Sequence, residues 1–207
     1  NILGHSFNKG KGLTVINHFS EANSYDLSGK ISGYQKNYEV VMDGDETYSL
    51  PFKLKNGETR RVFELSLSKE DYNKLTDFAL MIYDENGKAV SSGGFGNRSE
   101  SISVKNKKQD ESSKFQLVLI PAFANAPGKL KIKINEKTYL EETSDIIIKY
   151  ENKNNITMYP NINYELKCDY TLPQFSIPED HNFFGEIMFK SLRTKEIEFT
   201  KILNINK

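Results

Sequence analysis

Leu75 to Gly93 reads Leu-Thr-Asp-Phe-Ala-Leu-Met-Ile-Tyr-Asp-Glu-Asn-Gly-Lys-Ala-Val-Ser-Ser-Gly, and the rest of the chain can be read outward from it. Phe78, Leu80 and Ile82 alternate with Ala79, Met81 and Tyr83, a period of two that specifies a strand. Both sets are apolar, which suits a central strand. Asp84 to Gly87 closes it. Asn86-Gly87 is the strongest short hairpin signal, because both residue types tolerate positive φ. A type I′ turn is expected there, with Lys88 to Ser92 returning as the partner strand. The remaining segments read as strands added to this hairpin.

The 207 residues suffice for one large β domain or two smaller ones. Basic and acidic residues number 28 each, so the net charge is zero. A nucleic-acid or anionic-membrane binder would show a basic excess, so no nucleic-acid partner is expected. The hydrophobic share of 37% is lean, as a sandwich with one wet face on each sheet should be. The aromatics are Phe and Tyr without Trp. Cys168 stands alone, so no internal disulfide can form. No run approaches the roughly 18 apolar residues of a membrane span. The chain starts at Asn1 rather than Met, which reads as a processed product or a fragment of something longer.

Residues 1–12 read as an opening loop with three glycines. Strands are expected at 13–19, 25–34 (with Gly29 and Gly33 marking a bend or bulge), 37–42, 47–54 and 60–67. Pro51 points to an edge or a bulge, and Asn56-Gly57 to a second tight turn. Ser68 to Leu75 is a short helix candidate, capped by Ser68 with Glu70 and Asp71 in its first turn. Further strands are expected at 99–104, 115–121 and 129–135. In the last of these, Leu130, Ile132 and Ile134 alternate with Lys129, Lys131 and Lys133, a lysine face for solvent. The polar run 137–145 reads as a domain boundary. Five short strands follow between Ile146 and Ile205.

Several of these segments resemble the bacterial pre-peptidase C-terminal domain. Tyr48, Leu50 and Phe52 are similar to its opening strand. Thr76 to Val90 is similar to its central Asp-Leu-x-Leu-x-Leu-Tyr-Asp-x-x-Gly hairpin. Ser113 to Leu119, and Pro127-Gly128 followed by Leu130, Ile132 and Ile134, match its later strands. Two departures stand out: Ser113-Lys114-Phe115 replaces Gly-x-Tyr, and the loop between Val104 and Phe115 is long and charged. Phe183-Phe184-Gly185-Glu186-Ile187-Met188-Phe189 resembles a strand of the fibronectin-like domains that end subtilisin-like proteases.

The resemblance implies an all-β chain: a jelly-roll-like β-sandwich over 35–142 and a smaller fibronectin-like β-sandwich over 143–207, completed by strands from 1–34. It further implies the non-catalytic C-terminal accessory region of a secreted bacterial subtilisin-like serine protease, secreted or at the cell surface. Such a region would be a monomer that partners the parent catalytic domain, stabilising it or binding protein substrate or a surface component. A free-standing carbohydrate- or protein-binding module, or an adhesin fragment, is the alternative.

Hydrolysis needs a nucleophile, a base and an orienting group. His5, His18 and His181 sit in no such signature, and Ser28 and Ser32 lie in bend-like sequences. Cys168 lies mid-strand as a structural thiol. No cofactor is required. Calcium is the metal that turn carboxylates could take, with Asp43, Asp45, Asp77 and Asp84 as ligands and Glu46 and Glu85 beside them. Tyr25, Tyr34, Tyr38 and Phe95 are candidates for stacking on sugars. Lys105, Lys107 and Lys108 form a short basic run, offset at once by Asp110 and Glu111. Asn97-Arg98-Ser99 and Asn155-Ile156-Thr157 match the glycosylation sequon.

Overall fold

The computed structural model describes residues 2–5, 12–44, 46–94, 96–106 and 112–206, with backbone alone for 2–5. Its strands are β1 (Ile2–His5), β2 (Gly12–Asn17), β3 (Asn23–Asp43), β4 (Tyr48–Leu54), β5 (Glu58–Leu67), β6 (Leu75–Asp84), β7 (Ala89–Gly94), β8 (Ser99–Lys105), β9 (Ser113–Phe123), β10 (Lys129–Lys149), β11 (Asn155–Met158), β12 (Asn163–Tyr170), β13 (Asn182–Ser191) and β14 (Ile197–Ile205). One helix, α1 (Lys69–Tyr72), lies between β5 and β6. The fold is all-β. The chain forms two compact units, a central one of Gln35–Glu141 and a terminal one of Asn1–Tyr34 with Glu142–Lys207. β3 passes from one unit to the other after Tyr34, and β10 after Glu141.

The central unit is a jelly roll. One sheet runs β8-β5-β10-β3 and the other β7-β6-β9-β4. Lettered A to H along the chain, its strands give A-H-C-F and B-G-D-E, the order of two Greek keys wrapped into a sandwich. Between the sheets lie Phe63, Leu65, Ile132 and Ile134 from one side and Phe78, Leu80, Ile82 and Leu117 from the other, all at most 1% exposed. Each such side chain contributes about 1.5–3 kcal/mol on burial. β6 is interior to its sheet, between β9 and β7. Phe78, Leu80 and Ile82 face the core, and Ala79, Met81 and Tyr83 are half-buried on the other face. Pro51 sits on β4, at the end of that sheet order, where a missing N–H is tolerated.

The β6–β7 turn differs from the expected type I′. Gly87 has φ +74, while Asn86 is not among the residues with positive φ. Gly87 N–H donates to Asp84 O at 3.0 Å and Asp84 N–H donates to Lys88 O at 2.9 Å, so Gly87 and Lys88 together face Asp84. This is a type I turn followed by a glycine bulge. The Asp84 carboxylate explains the preference: its Oδ1 accepts from Asn86 N and Lys88 N, each at 3.0 Å. At Asn56-Gly57 the second residue alone is positive, with Glu58 N donating to Lys55 O at 3.1 Å.

Other boundaries move as well. The polar run 137–145 spans the passage from one unit to the other after Glu141, but it is strand rather than loop: β10 continues through it, paired with β5 from Lys137 opposite Val62 to Leu140 opposite Glu58, with a register shift between Tyr139 and Leu140. The segments 25–34 and 37–42 are one strand. At Gly29 a Cβ would meet Ile148 Cδ1 at 2.8 Å and Ile146 Cβ at 3.1 Å, so glycine admits two core isoleucines. Residues 2–5, read as loop, pair with β2. The helix shrinks to one turn. Ser68 caps it by accepting from Asp71 N at 3.0 Å, and Lys131 N reaches Asp71 Oδ2 at 3.4 Å. In the terminal unit the order is β1-β2-β12-β10-β3-β13-β14, with β11 also on β3. Leu13, Val15, Tyr25, Ile31, Leu166, Phe184, Ile187 and Phe189 are buried there.

A cluster of charged groups is buried in the central unit around Arg61. Arg61 meets Glu136 at 3.0 Å and Glu58 at 3.5 Å, and its guanidinium lies 5.2 Å from the Phe52 ring centroid. Tyr38 donates its hydroxyl to Glu136 at 3.1 Å. Arg61→Met should cost about 3–5 kcal/mol, because two carboxylates then stay buried without their cation. Adding Glu58→Gln and Glu136→Gln should return part of that loss, read by urea denaturation. Gly87→Val should cost about 1–3 kcal/mol as backbone strain alone, since nothing lies within 4 Å of a Cβ there. Thr59→Val, on β5, should cost far less. A Gly87→Val midpoint equal to wild type would show that the bulged turn is absent.

Candidate functional site

The outer face of the β8-β5-β10-β3 sheet carries a groove lined by Asn37 and Glu39 of β3, Glu64 and Ser66 of β5, Ser99 and Ser101 of β8, and Lys133 and Asn135 of β10. Asn97 and Glu100 also line it. Alternation builds this surface: with Leu65, Ile134 and Ile102 turned to the core, Glu64, Ser66, Lys133 and Asn135 turn outward. Register then assembles them into rows. Lys133 stands opposite Ser66, and Ser66 opposite Ser99. In the next row Asn135 stands opposite Glu64, and Glu64 opposite Ser101.

Charge pairs fix most of this face. Lys137, 8% exposed, holds Glu64 at 2.7 Å. Lys131 lies 4.0 Å from Glu39, and Lys129 lies 3.7 Å from Asp43. Asn135 donates through Nδ2 to Gln35 at 3.3 Å, and its Oδ1 is buried without a hydrogen-bond partner among the described residues. Asn97 Oδ1 accepts from Ser99 N at 2.8 Å, which pins the rim of the groove. A surface of ammonium, hydroxyl, carboxamide and carboxylate groups can recognise a polar ligand by hydrogen bonds and charge.

The described metal candidates lie in separate surroundings. Asp43 ends β3 and is exposed beside Lys129. Asp77 and Asp84 lie near opposite ends of β6, about 23 Å apart along an extended strand. Asp77 Oδ1 accepts from Phe78 N at 2.7 Å, and Asp84 is the turn acceptor described above. Asp45 lies outside the described residues. Among the described residues, no three His, Cys, Asp or Glu side chains gather as metal ligands do. The sugar-stacking set changes too. Tyr25 and Tyr34 are buried, Tyr38 is half-buried with its hydroxyl on Glu136, and Phe95 lies outside the description. The Lys105 run and its following acids continue into undescribed residues after 106.

Cys168 lies in β12 opposite Ile148, 3% exposed. Burial pushes its thiol up to about 11, with the Asp169 charge adding to the effect. Burial, then the Glu198 carboxylate, pushes Tyr25 up to about 12, and burial with Glu136 raises Tyr38 further. His181 contacts Asp180 at 2.7 Å and lies edge-on to Tyr34. His18 is exposed, and the His5 side chain is undescribed. Ser28 is exposed, whereas Ser32 is buried and donates to Glu186. Among the described residues, no helix is long and apolar enough to cross a membrane.

No family model matches the chain, and no curated protein matches it. Among solved structures, a β-glucuronidase from Ruminococcus gnavus, in complex with uronic deoxynojirimycin, superposes with a TM-score of 0.30 at 10% identity, over 98% of this chain and 47% of that one. The chain therefore spans less than half the length of that protein. A superposition this loose establishes neither a shared fold nor a shared activity.

Proposed function

We propose that this chain is a non-catalytic binding region whose central jelly roll presents the β8-β5-β10-β3 face to a ligand. The observation that carries the proposal is the groove of polar side chains set in rows by one register. Three groups that would have to ionise to act as nucleophiles support it: burial favours the protonated forms of Cys168, Tyr25 and Tyr38. The resemblance of the Thr76 to Val90 hairpin to pre-peptidase C-terminal domains supports a finer version. In it the chain is the accessory region of a secreted subtilisin-like protease, holding protein substrate or a surface partner. A carbohydrate module is less well supported, since Tyr25 and Tyr34 are buried.

Two measurements test the proposal. On adding a reduced, alkylated, unfolded protein, amide exchange should slow at 64–66, 97–101 and 133–135; protection elsewhere only, or none, would contradict the binding role. Peptidase and esterase assays should show no turnover. Turnover that survives purification and disappears with one Ser or Cys substitution would overturn the non-catalytic part. For Cys168, a pKa of about 11 leaves about one thiol in a thousand ionised at pH 8. Its reaction with Ellman's reagent at that pH should be at least about a hundredfold slower in the folded chain than in urea. Rapid labelling of the folded chain would mean that β12 does not bury it.

A further inference from the structure

We infer that the groove takes an extended peptide segment through one acidic side chain, whose carboxylate sets on Lys133. The inference rests on the groove being a binding surface and goes on to name the chemistry of its ligand.

Lys129, Lys131, Lys133 and Lys137 share the outward face of β10. Three of them have carboxylate partners: Asp43, Glu39 and Glu64. Lys133 has none among the described residues, although it stands between paired neighbours and lines the groove. Its row supplies the Ser66 hydroxyl directly opposite and the Ser99 hydroxyl beyond that. The Ser99 hydroxyl already donates to Asn97 Oδ1 at 3.2 Å, so the row offers an ammonium beside one hydroxyl donor, that of Ser66; such a pair is a receptor for one carboxylate, and charge-assisted bonds are the stronger kind.

The surroundings select the rest of the ligand. Asn37, Asn97 and Asn135 line the same groove. Asn97 Oδ1 is committed to Ser99 and Asn135 Oδ1 is buried, so the exposed Asn37 carboxamide is the one that offers a donor and an acceptor together, matching the N–H and C=O of a peptide unit. An extended chain repeats that pattern every ~3.3 Å, on the scale of the strands beneath it. Glu39, Glu64 and Glu100 also line the groove, so a polyanion with a charge on every unit would be driven against like charges. A neutral sugar would want an exposed aromatic face. Tyr38, which lines the groove, is half-buried and commits its hydroxyl to Glu136. One acid with uncharged flanks is what the charges admit.

Selection of a displayed random heptapeptide library on the immobilised full chain tests this. Enriched peptides should carry a single Asp or Glu. A synthetic copy with that Glu replaced by Gln should bind about tenfold more weakly, the loss of one charged hydrogen bond. The Lys133→Glu chain should reverse the selection toward Lys or Arg, and Ser66→Trp should abolish enrichment by filling the row. Enrichment without acidic preference that Ser66→Trp still abolishes would overturn the inference and leave the binding groove standing. No enrichment, or enrichment indifferent to Ser66→Trp, would overturn both. Dextran sulfate binding more tightly than the peptides, and losing that binding in Lys133→Glu, would make the occupant a polyanion and overturn the peptide.

Discussion

Burial of Phe63, Leu65 and Leu67 against Ile102, Ile132 and Ile134 fixes how β5 pairs with β8 and β10. A strand has a period of two, so a slip of one residue would turn each of these side chains into water. The cost would be several core side chains at about 1.5–3 kcal/mol each, more than a domain of ordinary stability can lose. That constraint leaves Glu64, Ser66, Ser99, Ser101, Lys133 and Asn135 no freedom of position. The polar surface is the other side of the apolar one, and the groove inherits its precision from the core.

The same burial sets the chemical character of the molecule. Cys168, Tyr25 and Tyr38 are deep enough that their ionised forms are disfavoured. Charges that do enter the core come with partners, as Arg61 does with Glu58 and Glu136. Asp71 shows the balance near the surface. Burial works against its carboxylate, but hydrogen bonds from Lys74, Lys131 N–H and Ser68 outweigh it and hold the carboxyl below its ordinary range.

Much of this was legible in the residues. The alternation of Phe78, Leu80 and Ile82, and of Leu130, Ile132 and Ile134, announced strands with a core face and a wet face. Ser68 announced its cap. Polar residues inside long strands hid the backbone's course. Lys137, Thr138 and Glu141 to Asp145 read as a domain boundary, and the chain does pass between the units after Glu141, but the backbone runs on in β10, and Lys137 and Thr138 are buried by neighbours distant in sequence. Asn86-Gly87 suggested two positive φ values, but the Asp84 carboxylate favoured a turn needing one. The groove was not legible at all. Ser66, Ser99 and Lys133 lie far apart in sequence, and only pairing across three strands sets them in a row.

The register around β5 is therefore the point on which the fold and the candidate site both stand. Backbone nuclear Overhauser contacts across β8, β5 and β10 measure it directly. The structure requires cross-strand contacts that place Ser66 opposite Lys133 on one side and opposite Ser99 on the other. Contacts that instead place Lys133 opposite Leu65 or Leu67 would mean a one-residue slip. Lys133 would then face the core, and the row of hydroxyls and ammonium would not exist.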